Sequence, residues 1–281
     1  MSAGVLIAGS LCPGINNAIR HIVVAEKCAG RTVYGYMDGF RGLNRDKKYR
    51  VDLIDLYDEN GSILRMSREP LDLERARPQL ETLDHLWCIG GRGTMAAAKV
   101  IAADENLDVN VIGIAKSINN DVPKIRETLG FQSAVNELTA IVDRAYVLAL
   151  TESTVVFVEV PGERNGTLVR TTGTVSLSKC QVVISPESYE DYLYDVETFY
   201  KADGYCVVLV SEYCEYNYIR KHIETRHGIK TVTFKPGMLI NAAPTSAYDN
   251  ILSTRMVNEA MEYSKTRKNF IKGATNVVDL V

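Results

Sequence analysis

Residues 115–123 read AKSINNDVP, so a lysine, a hydroxyl, two amides and a carboxylate fall within the six positions from Lys116 to Asp121. The apolar run VIGI at 111–114 leads into them. Polar groups crowded at the carboxyl end of a buried strand mark where open α/β sheets place ligands. Lys116 could hold an anion, with Ser117 beside it, and Asp121 could take a proton. Asn119 and Asn120 are neutral amides and can do neither. A second passage, GGRGT at 90–94, sets Gly90, Gly91 and Gly93 around Arg92. Glycines let backbone approach a ligand closely, and the guanidinium would attract an anion and repel a magnesium ion. A third, GSLCPG at 9–14, leads from an apolar run into a helical pattern. Gly9, Ser10 and the amides that follow could meet phosphate at a helix N-terminus. A fourth, VEVPGERNG at 158–166, holds an adjacent Glu163–Arg164 pair that reads equally as a solvated turn.

The elements that must position these turns follow from the hydrophobic pattern. Apolar runs near 4–8, 86–89 and 111–114 suit buried parallel strands. Helical spacing begins after Pro13, with Ile15, Ala18, Ile19, Ile22 and Val23 on one face. A helix is expected to open at 95–98 after the GGRGT loop, and a long one to run over 132–150. Beyond it we expect strands at 154–160, 182–184 and 206–210, with an extended stretch at 231–234. Helices are expected near 167–178, 188–202, 215–227 and 246–264. Such alternation predicts an α/β protein with mostly parallel sheets covered on both faces. Two centres of strand–loop–helix units predict two Rossmann-like α/β/α domains facing across a cleft, one from 1–130 with 240–281 and one from 131–239.

Composition excludes several classes. The 281 residues are 46% hydrophobic and 24% charged, with a net charge of −3, which is ordinary for a globular chain and offers nothing to a nucleic acid. The basic run at 265–268 reads as a solvated helix end. Six scattered cysteines without a CxxC pair, and no His-rich segment, read as reduced thiols; no metal site is expected. The apolar N-terminal run is too short for a signal peptide or a membrane span, so a cytoplasmic location is expected. Tyrosine is abundant, at 15 residues, and Tyr189, Tyr192, Tyr194, Tyr200, Tyr205, Tyr213, Tyr216 and Tyr218 crowd the second half, where half-buried core positions are the expectation.

Seven ordered stretches resemble successive motifs of the phosphofructokinases: GVLIAGSLCPGINNAIR, YGYMDGFRGL, WCIGGRGTMAAAKVIA, GIAKSINNDVPKIRETLGFQSAV, VEVPGERNG, ISPE and AYDNILSTRM. LCPG, GGxGT and the lysine of AKSINND resemble the branch with pyrophosphate-dependent and plant and trypanosome ATP-dependent enzymes. The resemblance implies two α/β domains about a cleft, with phosphoryl donor and magnesium on the first, fructose 6-phosphate largely on the second, and active sites at subunit contacts.

Carried over position by position, the resemblance implies a degenerate site. The aspartate that serves as general base is replaced by Asn119, and base catalysis is commonly worth about 10²–10⁴-fold. The metal-holding aspartate of the GGDG loop is replaced by Arg92, so magnesium is disfavoured. At the sugar-phosphate positions stand Thr154, Val232, Met238 and Asn241, with Glu163 where an arginine follows the glycine of the MGR turn. Arg164 could substitute only if the turn shifts by one residue. About four lost charge-assisted contacts at roughly 1.5–3 kcal/mol each would abolish useful affinity. Gly9, Pro13, Gly14, Gly91, Gly93, Lys116, Ser117, Asp121, Gly162 and Glu187 match the family, mostly as turn and packing residues. For Lys116 and Asp121 a ligand role and a salt-bridge or capping role both stay open.

Three functions follow as expectations. The first is an inactive family member acting as a regulatory or scaffolding partner, in a homo-oligomer or with another protein. The second is an active phosphotransferase of altered substrate, with Asp121 or Glu159 as base. The third is a sensor that binds a nucleotide, pyrophosphate or other phosphate metabolite through Arg92, Lys116 and the GSLCPG turn.

Overall fold

In chain order the elements are β1 (Ser2–Ile7), α1 (Ile15–Cys28), β2 (Thr32–Tyr36), α2 (Phe40–Asn44), β3 (Lys48–Arg50), α3 (Leu73–Leu80), β4 (His85–Gly90), α4 (Arg92–Ala102), β5 (Asn110–Ala115) and α5 (Phe131–Glu152). Then come β6 (Val155–Val160), α6 (Thr167–Val175), β7 (Val182–Ile184), α7 (Tyr192–Asp203), β8 (Cys206–Ser211), α8 (Asn217–His227) and β9 (Thr231–Phe234). The chain closes with α9 (Ala247–Ser264), β10 (Phe270–Lys272) and β11 (Val277–Asp279). The computed structural model describes residues 1–52, 60–162, 165–188 and 191–281. They form two units, Met1–Ser133 with Ala242–Val281, and Ala134–Asn241.

The first unit is built on a seven-stranded sheet in the order β11-β10-β5-β4-β1-β2-β3. Its core strands β1, β4, β5 and β10 pair in parallel, and only the edges β3 and β11 run antiparallel. The apolar runs lie in the middle, where both faces are covered, so β4 and β5 are buried throughout. Leu6, Leu86, Cys88 and Val111 face a core shared with Met95, Ala98 and Ile101 of α4. Against the sheet's helix α1 lies α9, pinned where Asn17 donates to Ser253 Oγ at 2.6 Å and to Asn250 O at 2.9 Å. The second unit carries a four-stranded, wholly parallel sheet, β7-β8-β6-β9. The mixed α/β class with mostly parallel sheets is therefore the one the pattern predicts. No helix among the described residues is long and apolar enough to cross a membrane.

Several elements differ from the sequence reading. GGRGT is not a loop: α4 begins at Arg92 with Gly91 as its N-cap. Tight strand-to-helix packing explains this, because a Cβ on Gly90 would fall 2.2 Å from Thr94 Oγ1. The strands β2, β3, β10 and β11 and the helices α2 and α3 were not expected. Three of the four strands are only three residues long, and α3 carries Pro78, which reads as a breaker. Tyr192 and Tyr216 are buried, but Tyr194, Tyr213 and Tyr218 are exposed, so the expectation for tyrosine holds in part; Tyr189 lies outside the described residues. All six cysteines are free thiols, and burial pushes Cys12 and Cys88 up to about 12.

Two buried carboxylates lock the first unit. Asp249 of α9 accepts from Gly130 N and Ser133 N, both at 2.8 Å, and from Ser133 Oγ at 2.5 Å, so it receives the orphan amides at the start of α5. Glu26 of α1 is fully buried and accepts from Trp87 Nε1 at 2.6 Å, His85 Nδ1 at 2.7 Å and Arg31. Burial works to raise its carboxyl, but the bonds from His85, Arg31 and Trp87 overcome that and hold it below the usual range. A lowered carboxyl contributes fully above its unfolded value of about 4.3, and the contribution is lost as pH falls through the folded value. Glu26→Gln should therefore destabilise the protein by about 3–5 kcal/mol at pH 7. In urea titrations the gap between wild type and variant should shrink below about pH 4. An equal gap at both pH values would remove this assignment.

Candidate functional site

The register of the central strands assembles the site. Ile7 pairs with Ile89, and Gly90 with Ala115, so the carboxyl ends of β1, β4 and β5 lie side by side. Ala8 N donates to Ile89 O at 3.2 Å and Lys116 N to Gly90 O at 3.0 Å, which carries the alignment into the turns. The turn at 9–14, the start of α4 and the loop at 116–121 thus share the carboxyl end of the sheet's central strands.

Gly9 leaves β1 with φ of 88°, in the left-handed region that favours glycine. The Lys116 side chain is 3% exposed, and its Nζ donates to the Ser10 carbonyl. Burial pulls the Lys116 ammonium down from its ordinary value. Cys12 Sγ donates to Leu129 O at 3.2 Å, and Leu129 N donates to Ala115 O at 3.0 Å. Gly9, Ser10 and Lys116 are therefore brought together, with the ammonium spent on backbone. Ser117 Oγ donates to Asp121 Oδ1 at 2.5 Å and accepts from Asn119 N at 3.1 Å. Thr128 Oγ1 closes the loop onto Ser117 O at 2.7 Å. Asn119 is half-buried within this hydrogen-bonded loop.

Arg92 is exposed at the first position of α4. Nothing among the described residues lies within 4 Å of where a Gly93 Cβ would stand, so packing does not explain that glycine. One cation went unseen in the sequence. Ser67 makes an isolated parallel bridge with Ala8, and Arg68 Nη2 then lies 3.4 Å from Ser10 Oγ. Arg68 sits in LRMSREP, outside the turns that the sequence singles out, so only a contact across 58 positions reveals it.

The second unit does not gather its expected positions in one place. Gly162 N donates to Glu212 Oε1 at 2.9 Å at the carboxyl end of β6. Thr154 is buried just before β6, its Oγ1 bonded to Lys230 O. At about 3.3 Å per residue, β6 separates the two by about 20 Å within one chain. Val232 pairs with Val156 inside the sheet. Glu187 forms an ion pair with Arg170, Met238 is exposed and Asn241 is buried. Glu163 and Arg164 lie outside the described residues. Glu159 accepts from Lys235 Nζ at 2.6 Å and Tyr216 Oη at 2.8 Å.

These donor sets do not fit the magnesium that the family resemblance implies. Magnesium binds through carboxylate oxygens and phosphates. The three turns of the first unit contain a single carboxylate, Asp121, and it is already bonded to Ser117. Arg68, Arg92 and Lys116 supply positive charge instead.

The model of the phosphofructokinase family matches residues 2–264. The ATP-dependent 6-phosphofructokinase of Photobacterium profundum is 30% identical over 274 residues, covering 92% of this chain and 84% of the relative. That of Pectobacterium carotovorum is 30% identical over 268 residues, covering 90% and 82%. The pyrophosphate-dependent phosphofructokinase of Marinobacter aquaeolei superposes with a TM-score of 0.87 at 18% identity, covering 100% of this chain and 83% of that one. Phosphofructokinase from Saccharomyces cerevisiae gives 0.89 at 20%, and the chain, covered in full, spans 44% of its length. The mostly parallel sheets, the ordered motifs and these matches agree: the chain belongs to the phosphofructokinase family.

Proposed function

We propose that this family member does not transfer phosphoryl groups and acts as a regulatory or scaffolding partner, in an oligomer of itself or with another protein. The observation that carries the reading is Asn119, an amide at the family's base position in a loop whose one carboxylate is held by Ser117. An amide cannot take the sugar hydroxyl's proton, and Arg92 opposes the metal that phosphoryl transfer relies on. Glu159, the other base considered, is engaged by Tyr216 and Lys235. The second unit exposes Val147, Leu150, Val175, Leu177, Met238 and Leu239, apolar area that suits a protein partner.

A second reading, a sensor of a phosphate metabolite or nucleotide, is favoured by Arg68 beside Ser10 and by the exposed Arg92 at the same end of the sheet. Lys116 has a structural part in both readings: its buried ammonium braces the turn at 9–14.

The relatives' names set the assay. Purified protein should leave fructose 6-phosphate unchanged with ATP or pyrophosphate and magnesium. Asn119→Asp combined with Arg92→Asp should then raise any trace of transfer by about 10²–10⁴-fold, while Asn119→Asp alone should not. Turnover by the wild type, free of host enzyme, would sink the proposal.

The sensor reading is measured by thermal shift with pyrophosphate in the absence of metal. At about 100 times Kd a ligand should stabilise by about 2.7 kcal/mol, and Arg92→Asp or Arg68→Ala should remove the effect. No shift in the wild type would leave partner binding as the function.

For Lys116 the sign follows from its lowered folded value. Between that value and about 10.4 the unfolded chain binds more protons, so stability due to this group rises with pH. Urea titrations should show the stability of wild type relative to Lys116→Met rising through this window. A pH-independent difference would refute the buried-ammonium assignment.

A further inference from the structure

We propose that Glu197, His222 and His227 form a binding site for a d-block divalent cation of the zinc class on the second unit. The three are drawn from α7 and α8, and two of the chain's four histidines meet there. Their ligand atoms lie within 4.8 Å of one another. Glu197 Oε1 stands 3.1 Å from His222 Nε2 and 2.8 Å from His227 Nε2. Ligand bonds of about 2.0–2.2 Å around a tetrahedral cation put neighbouring donors about 3.3–3.6 Å apart, so small side-chain shifts admit the ion.

The chemistry of the donors selects the class of cation. Two imidazoles and a carboxylate suit zinc, nickel or copper, whereas magnesium and calcium prefer oxygen alone. Each imidazole binds through the Nε2 lone pair, with its proton on Nδ1. His227 ends α8 before Gly228, which turns left-handed, and the negative end of a helix dipole favours a cation. Lys201 Nζ approaches the other oxygen, Oε2, at 3.3 Å and so leaves Oε1 to the histidines. The side chains of Glu197, His222 and His227 are 20%, 35% and 30% exposed, which keeps at least one coordination position open to solvent or a partner's donor group.

The sequence hid this site because Glu197 lies 25 positions before His222, so the carboxylate meets the histidines only after folding, although the four residues between the histidines fall within the three to five common at zinc sites. The proposal departs from the expectation that no metal site forms; bound, the cation would staple α7 to α8.

The test is zinc titration of the full-length, untagged protein by calorimetry and thermal melting, with Cys28→Ser and Cys214→Ser in the background to exclude thiol ligands. One cation should bind per chain and raise the melting temperature. His222→Ala and His227→Ala should each weaken binding by more than about 100-fold, beyond the loss from an outer-shell partner. Glu197→Gln gives the same reading if a histidine variant is unstable. Cobalt in place of zinc should show visible absorption of a tetrahedral nitrogen–oxygen site. An unchanged melting temperature with zinc would make the cluster a hydrogen-bonded clamp and overturn the proposal. Undiminished binding in the variant lacking both histidines would overturn it as well.

Discussion

The carboxyl end of the first sheet's central strands is organised by a buried ammonium. Removing such a charge from water is costly unless it finds acceptors, and Lys116 finds one in the Ser10 carbonyl. That contact ties the end of β5 to the turn after β1, and Cys12 repeats the tie through Leu129 O. The turns at 9–14 and 116–121 are therefore fixed by backbone and buried side chains, independent of any ligand. Arg92 and Asn119 play no part in these ties: one is exposed on α4 and the other follows Ser117 along the loop. Chemistry can thus change at both positions while the platform that displays them persists.

The two replacements act on different chemistry. An amide in place of a base removes a contribution commonly of about 10²–10⁴-fold, or about 2.7–5.5 kcal/mol at 1.36 kcal/mol per decade. A guanidinium acts through charge, and on an exposed residue such as Arg92 that action is screened by water and salt. In the loop at 116–121 the Asp121 carboxylate accepts from Ser117, which in turn accepts from the amide of Asn119.

How far the fold was legible depended on burial. The runs in β1, β4, β5, β6 and β8 are continuous and apolar because both faces are covered, and they announce themselves. The edges β3 and β11 are three residues long and need a partner strand to exist, so local pattern could not give them. The start of α4 was misjudged because glycines suggest loop, whereas here Gly90 makes room for Thr94. At the site, Lys116 and Ser117 were legible by position after a strand. Arg68, the Glu26 network and the Glu197–His222–His227 cluster were not, since each depends on residues that meet only after folding.

The residues that match the family sort by structural task. Gly9 needs its left-handed backbone, Lys116 braces a turn, Ser117 and Asp121 close a loop, and Asp249 holds the start of α5. Each would be retained for folding alone, so their presence says little about catalysis. Gly93 is different. Among the described residues nothing packs where its side chain would be, and its backbone is helical, where glycine costs about 1 kcal/mol relative to alanine. Gly93 is thus the matching residue for which packing among the described residues gives no reason, and it stands beside the exposed Arg92 at the same end of the sheet as Arg68.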